Sequence, residues 1–369
     1  MKILIISEHL FPETSGIAVR IEYYVKYLKQ FGHHVTVYGP KKCPTANRKL
    51  ASIPFYFFNT DVSQCLPSFQ LYKDILFEEY DIVYIVGPNV LLGTVLLYLL
   101  CKLMGIIVCT SYHTNLFDFG LEYSKNPFIR KLSEWLLTYC FYYPTIWLKI
   151  PILHPENFID LKILCNNFNN GNILSTGIDT NLFQYSENFT KNKLIHIGRI
   201  APEKNLFRLI DLFSLVQDEY TLDIVGFGSI ENALKLYVKE KQIKNIQFIG
   251  RIDYKNLYKY YQSAQAFICT SLNETYGFTL LESLSCGTPI IYPKCPVFEN
   301  LYKPYFPQLE YDINNDKEFI NALKYIQQND KNLPQLCRAY ACQYSWKKAT
   351  EDLVSIYQNI IDNHKTKIF

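Results

Sequence analysis

The strongest constraint on this chain is an alternation of short β-branched runs with helical stretches, made twice over. In the first cycle Lys2–Ser7 reads as a buried strand, and Ile17–Phe31 as a helix with Ile17, Ile21, Tyr24, Val25 and Leu28 on one face. Gly32 stops that helix, and His34–Tyr38 and Asp81–Val86 follow as strands. Val90–Met104 reads as a buried helix and Ile106–Ser111 as the next strand. Then come a helix at Phe128–Tyr142, a strand at Ile146–Ile150 and a helix at Glu156–Cys165. The second cycle places strands at Leu194–Ile197, Thr221–Val225, Ile246–Ile249, Ala266–Thr270 and Pro289–Tyr292. Helices at Asn205–Val216, Ile230–Glu240 and Tyr254–Ser263 separate the first four, and another begins near Leu280. Repeated βα units imply α/β domains, each with a doubly wound parallel sheet, because a parallel connection must cross the face of its sheet.

A chain of 369 residues fits two such domains on a prior of about 150 residues each. The expected division is 1–175, a polar aperiodic hinge at 176–192, a second domain at 193–344, and a last helix at 345–369 that returns to the first domain. Two similar halves joined by a linker imply a cleft between them, where ligands bind beyond the carboxyl ends of strands. Hydrophobic residues at 49% and charged residues at 19% allow a sizeable core and exclude a disordered chain. A net charge of +3 excludes bulk nucleic-acid binding as the main business of the surface. Eleven cysteines with no Cys-x-x-Cys spacing read as reduced core thiols of a cytoplasmic protein rather than metal ligands. The first apolar run is cut at Glu8 and His9, too short for a secretory leader.

Aromatic residues reach 16%, with 30 Tyr and 25 Phe, through codon bias in an AT-rich genome or through surfaces that touch lipid or sugar. Val90–Cys109 is the most apolar stretch, but Lys102 and Gly105 interrupt it short of the roughly 20 residues a spanning helix needs. Phe128–Lys149 mixes Arg130, Lys131 and Lys149 with Trp135, Tyr139, Tyr143 and Trp147. That mixture suits either a helix lying in a bilayer interface or an ordinary aromatic core.

The chemistry concentrates in Ser271–Pro289. A strand ends at Thr270, a loop carries Glu274, Gly277 permits close backbone approach, and a helix starts near Thr279. The amides of Tyr276, Gly277, Phe278, Thr279 and Leu280 then surround a helix start suited to a diphosphate. Glu282, one turn into the helix, suits vicinal hydroxyls such as those of a ribose. The alternative is a plain strand, loop and helix with two solvated glutamates. In Gly198-Arg199…Lys204, Arg199 and Lys204 place two cations at another strand-to-helix junction, fitted to a leaving diphosphate or to solvent.

The spacing of Glu274 and Glu282, with seven residues between them, resembles the Glu-x7-Glu motif of retaining glycosyltransferases of family 4. Neighbouring motifs agree in order: His196–Asn205 resembles the family's Gly-Arg…Glu-Lys segment, and Val225–Gly228 its Gly-x-Gly turn at Gly226. Phe248–Ile252, with Ile249 and Arg251, resembles the base-binding strand end. Thr176–Asp179 with Phe183 resembles the hinge motif, and Ser345-Trp346 with Ala349–Ile361 the terminal helix. Ser15, Gly16 and Ile17 resemble the loop through which the acceptor approaches. Ser111–Thr114 resembles family members that glycosylate lipids, such as sulfolipid synthases and lipid mannosyltransferases, with His113 toward the donor sugar.

The resemblance implies a GT-B fold, two Rossmann-like domains facing a central cleft. It also implies transfer of a hexose from a UDP- or GDP-sugar to a lipid or glycan hydroxyl, with retention, no metal and no protein nucleophile. Glu274 would hold the donor sugar, Glu282 the ribose, and His113, Arg199 and Lys204 would complete the catalytic set. The chain departs from the family in having one glycine in its first loop, Ser229 after Gly228, and no glycine pair in Pro293–Glu299.

No Asp-x-Asp occurs, against a metal-held diphosphate. Ser7–Ser15 holds no glycine, against a nicotinamide enzyme. The remaining alternatives are an epimerase or a sugar-nucleotide-binding protein without transferase activity on the same fold. The expected partners are a nucleotide-sugar donor, a lipid or glycan acceptor and a peripheral membrane surface; no cofactor is called for.

Overall fold

The computed structural model describes residues 1–12, 15–54, 63–87, 92–113, 143–155 and 172–366, with single positions 131, 135 and 139. The chain divides into two compact units, Met1–Gly177 with Trp346–Phe369, and Ile178–Ser345. The helices expected at Phe128–Tyr142 and Glu156–Cys165 lie largely outside the described residues.

In the first unit the described strands are β1 (Lys2–Ile6), β2 (His34–Pro40), β3 (Arg48–Pro54), β4 (Ser63–Leu66), β5 (Ile82–Val86), β6 (Val108–Ser111), β7 (Ile152–His154) and β8 (Asn172–Ile173). They form one sheet in the order β4-β3-β2-β1-β5-β6-β7-β8. Every pairing is parallel except β3 with β4. Strands buried on both faces read as continuous apolar runs, which is why KILII and IVYIV are recognisable. The described helices are α1 (Gly16–Gln30), α2 (Phe69–Phe77), α3 (Leu92–Leu103) and α4 (Tyr143–Trp147).

The strand expected at Ile146–Ile150 is not one. Pro144 enters the first turn of α4, Leu148 N–H donates to its carbonyl at 3.0 Å, and the strand starts only after Pro151. Proline in the first helical turn lacks only a donor the helix would not use, so the β-branched run is drawn into the helix end.

The second unit is a parallel sheet in the order β11-β10-β9-β12-β13-β14. Its strands are β9 (Thr190–Ile197), β10 (Thr221–Val225), β11 (Ile246–Gly250), β12 (Ala264–Ile268), β13 (Ile290–Pro293) and β14 (Glu310–Tyr311). The described helices are α5 (Leu206–Ser214), α6 (Glu231–Glu240), α7 (Leu257–Ser263), α8 (Phe278–Ser285), α9 (Pro296–Leu301), α10 (Asp316–Gln328) and α11 (Leu333–Ala341). One continuous core runs from Leu194 and Ile195 of β9 through Leu209 and Phe213 of α5 to Phe319 and Leu323 of α10. Phe183, in the polar stretch before β9, is fully buried in that core.

The last helix, α12 (Trp346–Lys365), belongs to the first unit. Trp346 stacks on Tyr23 of α1 with ring centroids 5.2 Å apart, and Tyr357 meets Tyr84 of β5 edge-on at 6.0 Å. Buried Arg20 ties the same corner: it donates to the Ser175 carbonyl at 2.7 Å and to Thr176 Oγ1 at 3.2 Å, with its guanidinium over the Trp346 ring. Much of the aromatic excess is therefore structural, since buried tyrosines in both units carry hydroxyls that find carbonyl or carboxylate partners.

Candidate active site

In the second unit the strand order reverses between β9 and β12, so the loops leaving their carboxyl ends diverge and open a crevice. The β9 loop is shaped by backbone contact. Gly226, at φ +141°, lies so close to the Gly198 carbonyl that a Cβ would stand 1.8 Å from its oxygen. A Cβ on Gly228 would stand 2.2 Å from the Ile200 oxygen. The Gly-x-Gly turn is thus required by packing of the 198–200 backbone against 226–228.

A 3-10 turn at Pro202–Lys204 and left-handed Asn205, at φ 51°, then aim the Lys204 side chain. Two hydroxyls from the β12 side fasten this turn. Thr270 Oγ1 donates to the Lys204 carbonyl at 2.8 Å, and Ser271 Oγ to the Glu203 carbonyl at 3.0 Å. The result is a contact between the two expected motifs: the Lys204 ammonium meets Glu274 Oε1 at 2.5 Å. Burial lowers the Lys204 pKa, but the Glu274 charge and hydrogen bond outweigh it and hold it above the usual lysine value. Arg199 pairs with Glu203 at 2.7 Å and keeps 43% of its side chain exposed, so its charge stays open to solvent or ligand.

Helix α8 begins from Gly277, whose φ of +71° favours glycine and which no side chain caps. The start of a helix is where backbone amides can receive an anion. Thr279 sits in that first turn, while the Leu280 side chain is fully buried and its N–H donates to the Gly277 carbonyl at 3.0 Å, so the expected donor contact at Leu280 is already taken. Tyr276 and Phe278 bring their rings to 5.9 Å from one another beside this start, and the Arg251 guanidinium lies 4.9 Å over the Phe227 ring after β11. Ile249 is half-buried at the end of β11.

Glu282 is not a solvated glutamate. It is 3% exposed, and the Tyr261 hydroxyl donates to its Oε2 at 2.9 Å. Burial pushes its carboxyl up to about 7, against the opposing hydrogen bonds from Tyr261 and Tyr254. The two glutamates therefore have separate environments: Glu274 is neutralised by a lysine, while Glu282 is held among tyrosine hydroxyls.

A further residue of this site, His196 on β9, is not among the sequence-based candidates. Its Nδ1–H donates to the Ile268 carbonyl at 3.0 Å, and burial pushes its pKa down to about 4, so the ring is neutral. Its Nε2 is buried without a hydrogen-bond partner among the described residues, and a Cβ on Gly198 would come within 3.3 Å of it. The only sequence signal is a polar residue inside the apolar run Leu194–Ile197.

In the first unit Ser15 caps α1 by accepting from Ala18 N–H at 3.2 Å, Gly16 opens the helix and Ile17 is half-buried; Thr14 lies outside the described residues. His113 follows β6, 6% exposed, with Nε2 2.8 Å from Ser111 Oγ, to which the Tyr84 hydroxyl donates at 2.8 Å. Burial, and then the charges of Arg20 and His9, hold His113 well below the usual histidine pKa, so it is neutral.

The comparisons with known proteins agree with this geometry. The family model described as glycosyl transferases group 1 matches residues 177–343, and that described as glycosyltransferase family 4 matches residues 14–145. The chain is similar to the alpha-monoglucosyldiacylglycerol synthase of Streptococcus pneumoniae, 26% identical over 82% of this chain and 73% of that protein. It is likewise 26% identical to the O-antigen biosynthesis glycosyltransferase WclY of Escherichia coli, over 94% of this chain and 98% of that one. The GDP-mannose-dependent alpha-mannosyltransferase of Mycobacterium tuberculosis is 20% identical over 100% of this chain and 99% of its own length. Among solved structures, a sucrose-phosphate synthase from Thermosynechococcus elongatus superposes with a TM-score of 0.73 at 15% identity, over 98% and 99% of the two chains. Anabaena HepE, solved with UDP-glucose, gives 0.69 at 14% identity, over 99% and 100%. With both family models matched and two Rossmann-like parallel-sheet units present, the chain belongs to the glycosyltransferases of family 4 and has the GT-B fold.

Proposed function

We propose that this glycosyltransferase moves a hexose from a UDP- or GDP-sugar to a hydroxyl of a lipid or glycan, with retention and without a metal, as a cytoplasmic protein that works at a membrane surface. The observation that carries the reading is the Lys204–Glu274 pair set beside the uncapped start of α8 at the strand switch of the second unit. A sugar diphosphate needs a site that neutralises charge where the leaving group forms, and preorganised cations and amides do this without rearranging during reaction.

In the reaction the bond from the sugar's anomeric carbon to the diphosphate oxygen breaks, and a bond to the acceptor oxygen forms on the same face. The acceptor proton passes to the leaving diphosphate, which needs no protein nucleophile. Lys204, Arg199 and the amides of Phe278 and Thr279 receive the developing negative charge. Glu274, anchored by Lys204, orients the sugar hydroxyls, and Glu282 accepts from the ribose. Gly198, Gly226, Ile249 and Arg251 frame the nucleotide, and neutral His113 serves the sugar from the first unit together with the acceptor loop at Ser15, Gly16 and Ile17.

The lipid or glycan class of acceptor is supported by the relatives, whose names include a glucosyldiacylglycerol synthase, an undecaprenol-linked sugar transferase and O-antigen transferases. Thermal shift against UDP-glucose, UDP-galactose, UDP-N-acetylglucosamine and GDP-mannose tests the donor. At least one should stabilise the protein, and Glu282→Ala should weaken that hit; stabilisation by none of the nucleotide sugars would contradict the reading.

A further inference from the structure

His113 is tied into a chain of hydroxyls that the transfer reaction as written does not use. Tyr84 lies on β5 and Ser111 ends β6; in their parallel register Tyr84 is paired with Cys109 and Val86 with Ser111. Alternate residues of a strand share a face, so Tyr84 and Ser111 stand diagonally on the same side of the sheet. There the Tyr84 hydroxyl donates to Ser111 Oγ at 2.8 Å, and Ser111 Oγ lies 2.8 Å from His113 Nε2. Tyr84 and Ser111 are fully buried.

Packing holds each link in place. The Tyr84 ring lies against Tyr357 of α12. The Gly87 N–H donates to the Ser111 carbonyl at 2.9 Å, and a Cβ on Gly87 would stand 2.7 Å from that oxygen. On the other side the Tyr112 N–H donates to the Leu153 carbonyl at 3.0 Å. The backbone that carries the Ser111 hydroxyl toward His113 is therefore fixed by both neighbouring strands.

A count of protons then decides the state of the ring. A serine hydroxyl has one proton to give. Ser111 Oγ already receives the Tyr84 proton, and its own goes to the acceptor within reach among the described residues, His113 Nε2. Burial, and then the charges of Arg20 and His9, keep the ring neutral, so it carries a single proton. With Nε2 accepting, that proton sits on Nδ1, which has no hydrogen-bond partner among the described residues. A proton on Nε2 would instead give Ser111 Oγ two donors and leave the serine proton buried without an acceptor, an unmade hydrogen bond that costs free energy.

We propose that Ser111 and Tyr84 are positioning residues that hold His113 as the Nδ1–H tautomer, so that it meets the transferred sugar as a hydrogen-bond donor and not as a base. The inference rests on the reading that His113 serves the donor sugar. A neutral ring protonated at Nδ1 donates to a sugar oxygen and has no lone pair on that nitrogen with which to take the proton of the acceptor hydroxyl. This fits a transfer in which the leaving diphosphate receives that proton.

The tautomer is read from nitrogen chemical shifts, because protonated and unprotonated imidazole nitrogens resonate far apart. The test records long-range proton–nitrogen spectra of the full chain, isotope-labelled at its histidine nitrogens, at neutral pH and without substrate. His113→Gln assigns the His113 signals among those of the seven histidines. They should place the proton on Nδ1. Ser111→Ala and Tyr84→Phe should each admit the Nε2–H form and move the Nδ1 signal toward its unprotonated position, whereas Ser111→Thr, which keeps the hydroxyl, should not. A merely structural role would leave the tautomer unmoved. Ser111→Ala should also lower kcat/KM about tenfold, the worth of roughly one net hydrogen bond, for nucleoside diphosphate release from whichever of UDP-glucose, UDP-galactose, UDP-N-acetylglucosamine and GDP-mannose binds. Its affinity for UDP or GDP alone should not change.

A proton on Nε2 in the unaltered chain, or an unmoved Nδ1 signal in Ser111→Ala, would overturn the proposal, as would release by Ser111→Ala at the unaltered rate. If Ser111→Ala does not fold, Tyr84→Phe, which removes one buried oxygen, decides by the same signal. Because the spectra need no substrate, failure here leaves the donor screen standing, whereas failure of that screen overturns the reading on which the inference rests.

Discussion

At the scale of single residues the site depends on how each charge is kept. Lys204→Ala leaves Glu274 without its counter-charge and, on the proposed reading, removes a cation from the diphosphate. Loss of one preorganised electrostatic contact is worth about a hundredfold to a thousandfold in kcat. Steady-state kinetics should show at least the lower figure, with a smaller effect on donor affinity. Glu282 behaves differently. Its folded pKa, about 7, stands above the ordinary 4.5, so the protonated form favours the fold and ionisation opposes it. Its contribution is fully present below pH 4.5 and is lost as the pH rises through about 7. Melting temperature of the unliganded protein should carry this decline, and Glu282→Gln should flatten it; a profile unchanged by that substitution would show that folding does not raise the Glu282 pKa.

At the scale of elements the same logic explains what can be read from the residues. Strands buried on both faces, such as β1, β5 and β9, declare themselves by apolar runs, and the βα alternation follows. Strand β3 and antiparallel β4 lie at the sheet margin, where polar positions such as Arg48 and Lys49 interrupt the pattern, and they escape it. Helices α9, α10 and α11 lie between the strand read at Pro289–Tyr292 and the terminal-helix motif at Ser345-Trp346, and escape it too. Two of them start at or beside a proline, Pro296 and Pro334, a signal that marks a helix entry as readily as a break.

Within the site, the glycines and charged residues are visible because turns and anions demand those residue types. The depth of Glu282 and the orphan nitrogen of His196 are not, because burial of a polar group depends on tertiary packing. Two substitutions test the element contacts. Gly226→Ala would press a methyl group onto the Gly198 carbonyl, and chemical denaturation should show a loss of about 1–3 kcal/mol. Trp346→Ala removes the ring that packs α12 onto α1 and should cost about 3–5 kcal/mol. A loss under about 1 kcal/mol at Trp346 would mean that α12 is held by its other contacts alone.

At the scale of the whole molecule, two parallel-sheet units each present loops at the carboxyl ends of their strands, and the cationic and amide groups collect in the second. The small net charge of the chain is therefore an average over locally placed charges, with Lys204 paired to Glu274 and Arg199 to Glu203 at the strand switch of the second unit. The measurement that bears most directly on this account is release of nucleoside diphosphate from a panel of UDP- and GDP-sugars by the full chain, with and without a diacylglycerol or polyprenol-linked acceptor. Release should require one donor and rise with acceptor, and Glu274→Ala and Lys204→Ala should each cut it at least about a hundredfold while the protein stays folded. Release from no donor, or release that survives both substitutions, would contradict it.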